Sequence, residues 1–357
     1  MLEELANAID GVSEMDIAIK VESAINFFMG PSLWSIPLGL IRQELNVCRS
    51  NFWQNAQVKK IALLLSTLLI SGCATSQNLM YESISEQDVT AISIEDSPTV
   101  SVSRVVVLAN GVAEIMLALS AKSILVGRDI SSTENSLKDI PVVTSGHQVI
   151  SEKVIALKPD LVIIDASTGP KAAIEQIRSA KIKVVQTPES WSLKDIPSKV
   201  LAVGSAIGAP ISAQLLVDKL TNQKTINQVK GKPKIAFLYL RGTSAVYLIG
   251  GPGSGADSLI EAIGGVDVGA KNLPRAFNTL TAESLAQLNP DILLVMTKGL
   301  ESVGGIEGLV ELPGVAQSVA GERKAIINVD DSLLLSFGPR SYSLLQQLAL
   351  SVDRVSS

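Results

Sequence analysis

The chain has 357 residues, 46% of them hydrophobic and 18% charged, with a net charge of −5; this composition excludes a disordered polymer and sets a prior of about two domains. The acidic balance leaves no electrostatic footprint for nucleic acid, and aromatic residues, 4% of the chain, are too few for base-stacking platforms. Both cysteines, Cys48 and Cys73, precede residue 80, which leaves the rest of the chain without a disulfide or a cysteine-based metal site.

The first informative element is Lys59-Lys60, then the apolar run 61–70, then Ser71-Gly72-Cys73. A basic stretch, a short apolar core and small residues before a cut make an export signal, not a spanning helix. The Ile-Ser-Gly-Cys ending resembles a bacterial lipobox, so 58–73 is read as a lipoprotein signal peptide and Cys73 as the lipidation site. A signal should open a chain, and 57 residues precede this one. Residues 1–57 are therefore read as a non-native or over-extended segment. The other reading, a membrane-associated stretch over 23–41, is weakened by Pro31, Pro37 and three serines. Residues 74–102 are polar and acid-rich, lack a sustained period, and read as a tether.

The folded part opens at 103. Buried strands are expected at 104–109, 123–127 and 182–187, with helices at 112–119 and 170–180 between them, the alternation of a mostly parallel sheet. This N-lobe ends near 190. From 191 to 230 the pattern is almost unbroken helix, interrupted only at Gly208-Ala209-Pro210. The part after Pro210 would be about 30 Å long if fully helical. A C-lobe over 231–357 restarts the alternation with strands at 234–240, 245–250 and 325–329 and a closing helix at 340–355. The expected fold is α/β: two Rossmann-like lobes with mostly parallel sheets, joined by a single long interlobe helix.

One phrase occurs twice, SEKVIALKPDLVIID at 151–165 and AESLAQLNPDILLVM at 282–296. Each copy reads as a short helix with a first-turn acid (Glu152, Glu283), a Leu-x-Pro-Asp stop and a continuous apolar strand. The spacing is too wide for a solenoid. It implies two similar lobes and a cleft between them.

With these segments the chain resembles the class III substrate-binding proteins of bacterial ABC importers, the helical-backbone group that handles haem, cobalamin and iron siderophores. The resemblance covers about 103–353. Its carriers are SRVVVLANGVAEIMLAL, the LVGRD turn at 125–129, both Leu-x-Pro-Asp repeats, the interlobe helix and DDSLLLSFGPR at 330–340. FLYLRGTSAVYLIGGPGSGADSLIEAIGG (237–265) and VMTKGLESVGGIEGLVELPGV (295–315) are most similar to the haem (hemin)-binding branch. The resemblance implies a lipid-anchored extracytoplasmic monomer that captures haem in the cleft and delivers it to an ABC permease dimer with its ATPase subunits. A ferric siderophore or cobalamin is the alternative cargo. An enzyme is disfavoured, since with one histidine acid/base work would fall to carboxylates.

Site residues follow from the same resemblance. His147, the one histidine of the chain, stands in the loop before the first repeat helix, where many haem-binding relatives carry an axial tyrosine; histidine is itself a haem ligand. Tyr239 and Arg241 end the first C-lobe strand and match a Tyr-x-Arg pair that ligates haem from the opposite side. Residues i and i+2 share a strand face, so Arg241 can support the Tyr239 phenolate, which otherwise forms only near pH 10. Tyr247 competes for that role. Met296 is expected as a haem contact, Arg128 and Arg340 as partners of the propionates, and Glu152 and Glu283 as permease-docking acids. GGPGSG at 250–255 lacks both the Walker lysine and dinucleotide spacing and reads as a glycine-rich turn.

Overall fold

The structure is a computed structural model that describes residues 80–223, 226–242 and 246–357. The signal peptide, Cys73 and the segment 1–57 lie outside the described residues. Residues 77–357 form one compact unit, within which all three described apolar core clusters fall.

In the N-lobe, β2 (Val105–Val107) lies between β3 (Leu125–Arg128) and β6 (Leu161–Ile164), and β7 (Lys183–Gln186) flanks β6; every pairing is parallel. The central strands VVV and LVII are fully buried. Such unbroken β-branched runs belong to strands covered on both faces. The covering helices include α1 (Val112–Ala118), α2 (Ser151–Ala156) and α3 (Lys171–Ser179). A small antiparallel hairpin of β4 (Thr144–Ser145) and β5 (Gln148–Val149) stands before α2.

The C-lobe sheet has seven strands. Its spine runs β1 (Tyr81–Ile84), β13 (Ile326–Val329), β12 (Ile292–Met296), β8 (Lys234–Arg241), β9 (Val246–Gly250) and β11 (Phe277–Thr279), with β10 (Val266–Asp267) also on β8. The first four are parallel, whereas β9 and β11 add antiparallel edges.

The expectation of a free tether over 74–102 is corrected from residue 80 onward. Tyr81–Ile84 is an edge strand of the C-lobe sheet, and Ile84, Val89 and Ile94 are buried in the main core. Apolar residues that in isolation had no period become a packed strap once β13 offers them an edge.

The connection between the lobes is helical, as expected, but it is two helices: α4 (Ile196–Ile207) and α5 (Pro210–Thr221). Gly208, at φ +83°, closes α4 in the left-handed conformation, and Pro210 opens α5 without needing its missing N–H. The two helices pack on one another, and α5 ends at Asn222 instead of continuing to 230. Its buried stripe, Ala213, Leu216, Val217 and Leu220, stops there, and Ile226 and Val229 beyond it pack on the core from outside any helix. At 12 residues α5 is about 18 Å long.

The doubled phrase has one structural meaning in both lobes. Its x residue, Lys158 or Asn289, ends the helix at φ +48° or +40°, because a following proline disfavours the right-handed region. The next aspartate then grips the start of the lobe's first strand. Asp160 accepts from the Ser103 and Arg104 N–H groups and donates its own to Arg104 O. Asp291 does the same with Lys234 N–H and Lys234 O.

Candidate functional site

Parallel strands of both lobes deliver their C-terminal ends to one cavity of about 670 Å³, the place where open α/β sheets bind ligands. Asp165 follows β6 and Met296 ends β12. These are the corresponding positions of the two repeats, and both line the cavity. Met296 is 9% exposed. Tyr239 and Arg241 reach the same space from β8.

His147 comes from the opposite lobe. It occupies the two-residue turn of the β4–β5 hairpin, after Gly146 at φ +54°; a two-residue hairpin requires such a conformation, which glycine supplies. The turn holds the imidazole out from the sheet, and His147 is exposed. Its Nε2 lies 2.9 Å from Arg241 Nη2. The Arg241 guanidinium is also 5.3 Å from the centre of the Tyr239 ring, which packs edge-on against Phe277 at 5.6 Å. The expected histidine, tyrosine and arginine therefore converge.

Three other expected residues do not join them. Tyr247 pairs with Leu240 across the β8–β9 ladder, on the face opposite Tyr239, and packs with the second core cluster. Arg128 donates to the Leu137, Ile140 and Ser132 carbonyls, so its guanidinium pins the 129–140 loop. Arg340 is buried and pairs with Glu134 at 2.8 Å, Glu114 at 3.3 Å and Glu86 at 3.8 Å. The two arginines expected at the propionates are thus committed to the protein's own oxygens. Around Arg340, burial pushes the Glu134 carboxyl up to about 7 despite the arginine's pull.

Several cavity residues were not anticipated. Trp191 and Ile130 are 41% and 46% exposed and form apolar wall with Phe277 and Leu335. Asp129 is buried, which raises its carboxyl, although it accepts a hydrogen bond from Ser132. Asp165 accepts four hydrogen bonds, from the N–H groups of Asn110 and Ser167 and the hydroxyls of Ser167 and Thr168. Lys199 of α4 is 1% exposed yet lines the same cavity, and burial pulls its ammonium down to about 8 while Asp165 pulls it up.

Glu152 and Glu283 are exposed in the first turns of α2 and the helix Ala282–Leu288. Among the described residues no helix is long and apolar enough to cross a membrane, and no group of three or more His, Cys, Asp or Glu side chains is arranged to hold a bare metal ion.

Comparison with known proteins bears on this geometry. The periplasmic binding protein family matches residues 105–333. A relative from Bacillus subtilis (strain 168), the uncharacterized ABC transporter substrate-binding lipoprotein YvrC, is 25% identical over 82% of this chain and 95% of its own. The apo periplasmic haem-binding protein RhuT from Roseiflexus sp. RS-1 is 33% identical, with a TM-score of 0.65 over 71% of this chain and 99% of its own. The haem-binding protein HmuT is 31% identical, with a TM-score of 0.68 over 78% and 99%. Solved structures of HmuT include alanine variants of one arginine, one histidine and one tyrosine.

Proposed function

The chain belongs to the periplasmic binding protein family, and we propose that it is the substrate-binding component of a haem importer of the ABC class, with His147 and Tyr239 as axial ligands of the iron. The observation that carries this reading is the convergence of His147 from one lobe and Tyr239 from the other on one cavity, with Arg241 in contact with both. One imidazole and one phenol cannot hold a bare iron ion. They suit an iron whose four equatorial donors arrive with a macrocycle.

The rest of the cavity agrees with that cargo. Its volume, 670 Å³, lies in the usual range for small-molecule sites of about 300–1,000 Å³, and Trp191, Ile130 and Phe277 offer flat apolar wall. Arg241 stands beside Tyr239, where its guanidinium could pair with a tyrosinate bound to ferric iron. Met296 contacts the macrocycle without bonding to iron. The residue types altered in the HmuT variants are those that meet here.

The test is to add ferric haem to the compact unit 77–357 and record spectra of wild type, His147→Ala and Tyr239→Ala. Wild type should give a saturable Soret shift, and each substitution should change its position. No saturable shift would remove haem as cargo. A shift that both substitutions leave unaltered would keep haem and remove the two ligands. A ferric siderophore, which brings its own oxygen ligands, would bind wild type and both variants alike.

As part of an ABC importer the protein works with a permease and ATPase subunits. We place Glu152 and Glu283 against the permease, one from each lobe, and the protein as a monomer outside the cytoplasmic membrane, held by a lipid on Cys73. YvrC, a substrate-binding lipoprotein, supports the anchor. Fatty-acid label that persists in Cys73→Ser would exclude that site.

A further inference from the structure

Lys199 is one of the large side chains that are fully buried among the described residues, at 1% exposure. A buried ammonium is costly unless it is paired and hydrogen-bonded. Among the described residues, however, neither a hydrogen bond nor a salt bridge reaches its Nζ. The neighbours that could take it are already engaged: Asp165 accepts four other hydrogen bonds, and Glu114 binds the Arg340 backbone N–H, its guanidinium and the Ser336 hydroxyl. The lysine nonetheless lines the cavity that holds His147 and Tyr239. It therefore presents three N–H donors from the interlobe helix toward the ligand space.

The other cations of the cavity do not duplicate it. Arg241 stands against the Tyr239 ring, the proposed iron ligand, and Lys298 is exposed. Four carboxylates face the ammonium, those of Asp165, Glu114, Glu189 and Asp129, but among the described residues none is hydrogen-bonded to it, so its N–H donors stay open to a ligand.

We propose that Lys199 is the anion anchor of the cleft: its ammonium takes a carboxylate of the bound ligand, and in haem this turns the propionate edge toward the cavity floor. The inference rests on the haem reading for the identity of that carboxylate. It assigns to Lys199 the role that the engaged guanidiniums of Arg128 and Arg340 do not fill.

The test uses the unit 77–357, ferric haem and ferric haem dimethyl ester, whose propionates are blocked. Wild type should bind the diacid roughly 10-fold or more tighter than the diester, the usual weight of a hydrogen bond to a charged group. Lys199→Met and Lys199→Gln should bind both forms alike, at the diester's affinity, with an unchanged Soret position because His147 and Tyr239 are intact. Lys199→Arg should restore part of the preference. Equal binding of diacid and diester by wild type overturns the anchor while haem remains the cargo. A preference for the diacid that survives in Lys199→Met and Lys199→Gln overturns it too, and leaves Lys199 a counter-ion of Asp165 only. If wild type shifts the Soret band of neither form, the haem reading itself fails.

Discussion

Arg241 Nη2 donates a hydrogen bond of 2.9 Å to His147 Nε2 across the cleft. A guanidinium only donates, so in this contact Nε2 of His147 is the acceptor. The Nε2 lone pair is the one a metal would use. Ligation of iron by His147, as proposed, would break this bond and leave the guanidinium beside the Tyr239 ring, where it could pair with a phenolate. Arg241→Ala should weaken haem binding about 10- to 100-fold, as loss of a group supporting a metal ligand does, and diminish the tyrosinate-to-iron charge-transfer band. Arg241→Lys, which keeps charge but not the fork, should fall between. Titration and resonance Raman spectra check this, and unchanged affinity in Arg241→Ala would take the residue out of the site.

The repeat aspartates offer a test with the opposite readout. Asp160 and Asp291 each hold the first strand of a lobe by its backbone, at the strand ends away from the cavity, and neither lines it. Asp160→Ala and Asp291→Ala should each destabilise by about 1 kcal/mol, which lowers the melting temperature of a chain this size by about 2 °C. Haem spectra should be unaltered. A changed Soret band in either variant would mean that strand placement, not only stability, depends on the clasp.

The two-lobe plan was legible because its signal is local and doubled: a strand-ending run, a proline-enforced stop and an aspartate, twice. His147, Tyr239 and Arg241 were singled out by the family resemblance, and the fold brings them to one cavity. The strap at Tyr81–Ile84 was not legible, since its strand character depends on β13, far later in the chain. The engagement of Arg128 and Arg340 was hidden for a similar reason, because their partners come from loops and helices that only the fold assembles. Lys199 did leave a trace. It lies three residues after Ile196 and four before Val203 on α4, both fully buried, so it interrupts an apolar stripe where a solvated lysine has no place.

That burial carries a pH signature. The groups facing Lys199 are the carboxylates of Asp165, Glu114, Glu189 and Asp129, and burial outweighs them to bring its ammonium from 10.5 to about 8. Between these values the unfolded chain holds the extra proton, so the folded state gains stability as pH rises through the window. The full span is at most about 3 kcal/mol. Lys199→Met has no such proton to lose. Its melting temperature should exceed that of the ligand-free wild type at pH 7, and the gap should narrow from pH 8 upward. A gap constant from pH 7 to 10 would show that Lys199 is not held charged against its surroundings.

Substitution of Glu152 and Glu283 offers a test that separates capture from delivery. Both are exposed, and they occupy the same position in the two repeats. An acid in a helix's first turn is already explained by the macrodipole, so exposure alone does not distinguish a docking role. Charge reversal does. Glu152→Lys or Glu283→Lys should reduce haem uptake by cells carrying the permease and ATPase subunits by about 10-fold or more, since like charges set against each other at an interface cost several kcal/mol, and the double reversal should abolish it. Haem affinity and spectrum of the purified unit should stay unchanged, because neither residue lines the cavity. Uptake at the wild-type rate by the double variant would leave the two glutamates as helix-end charges and nothing more.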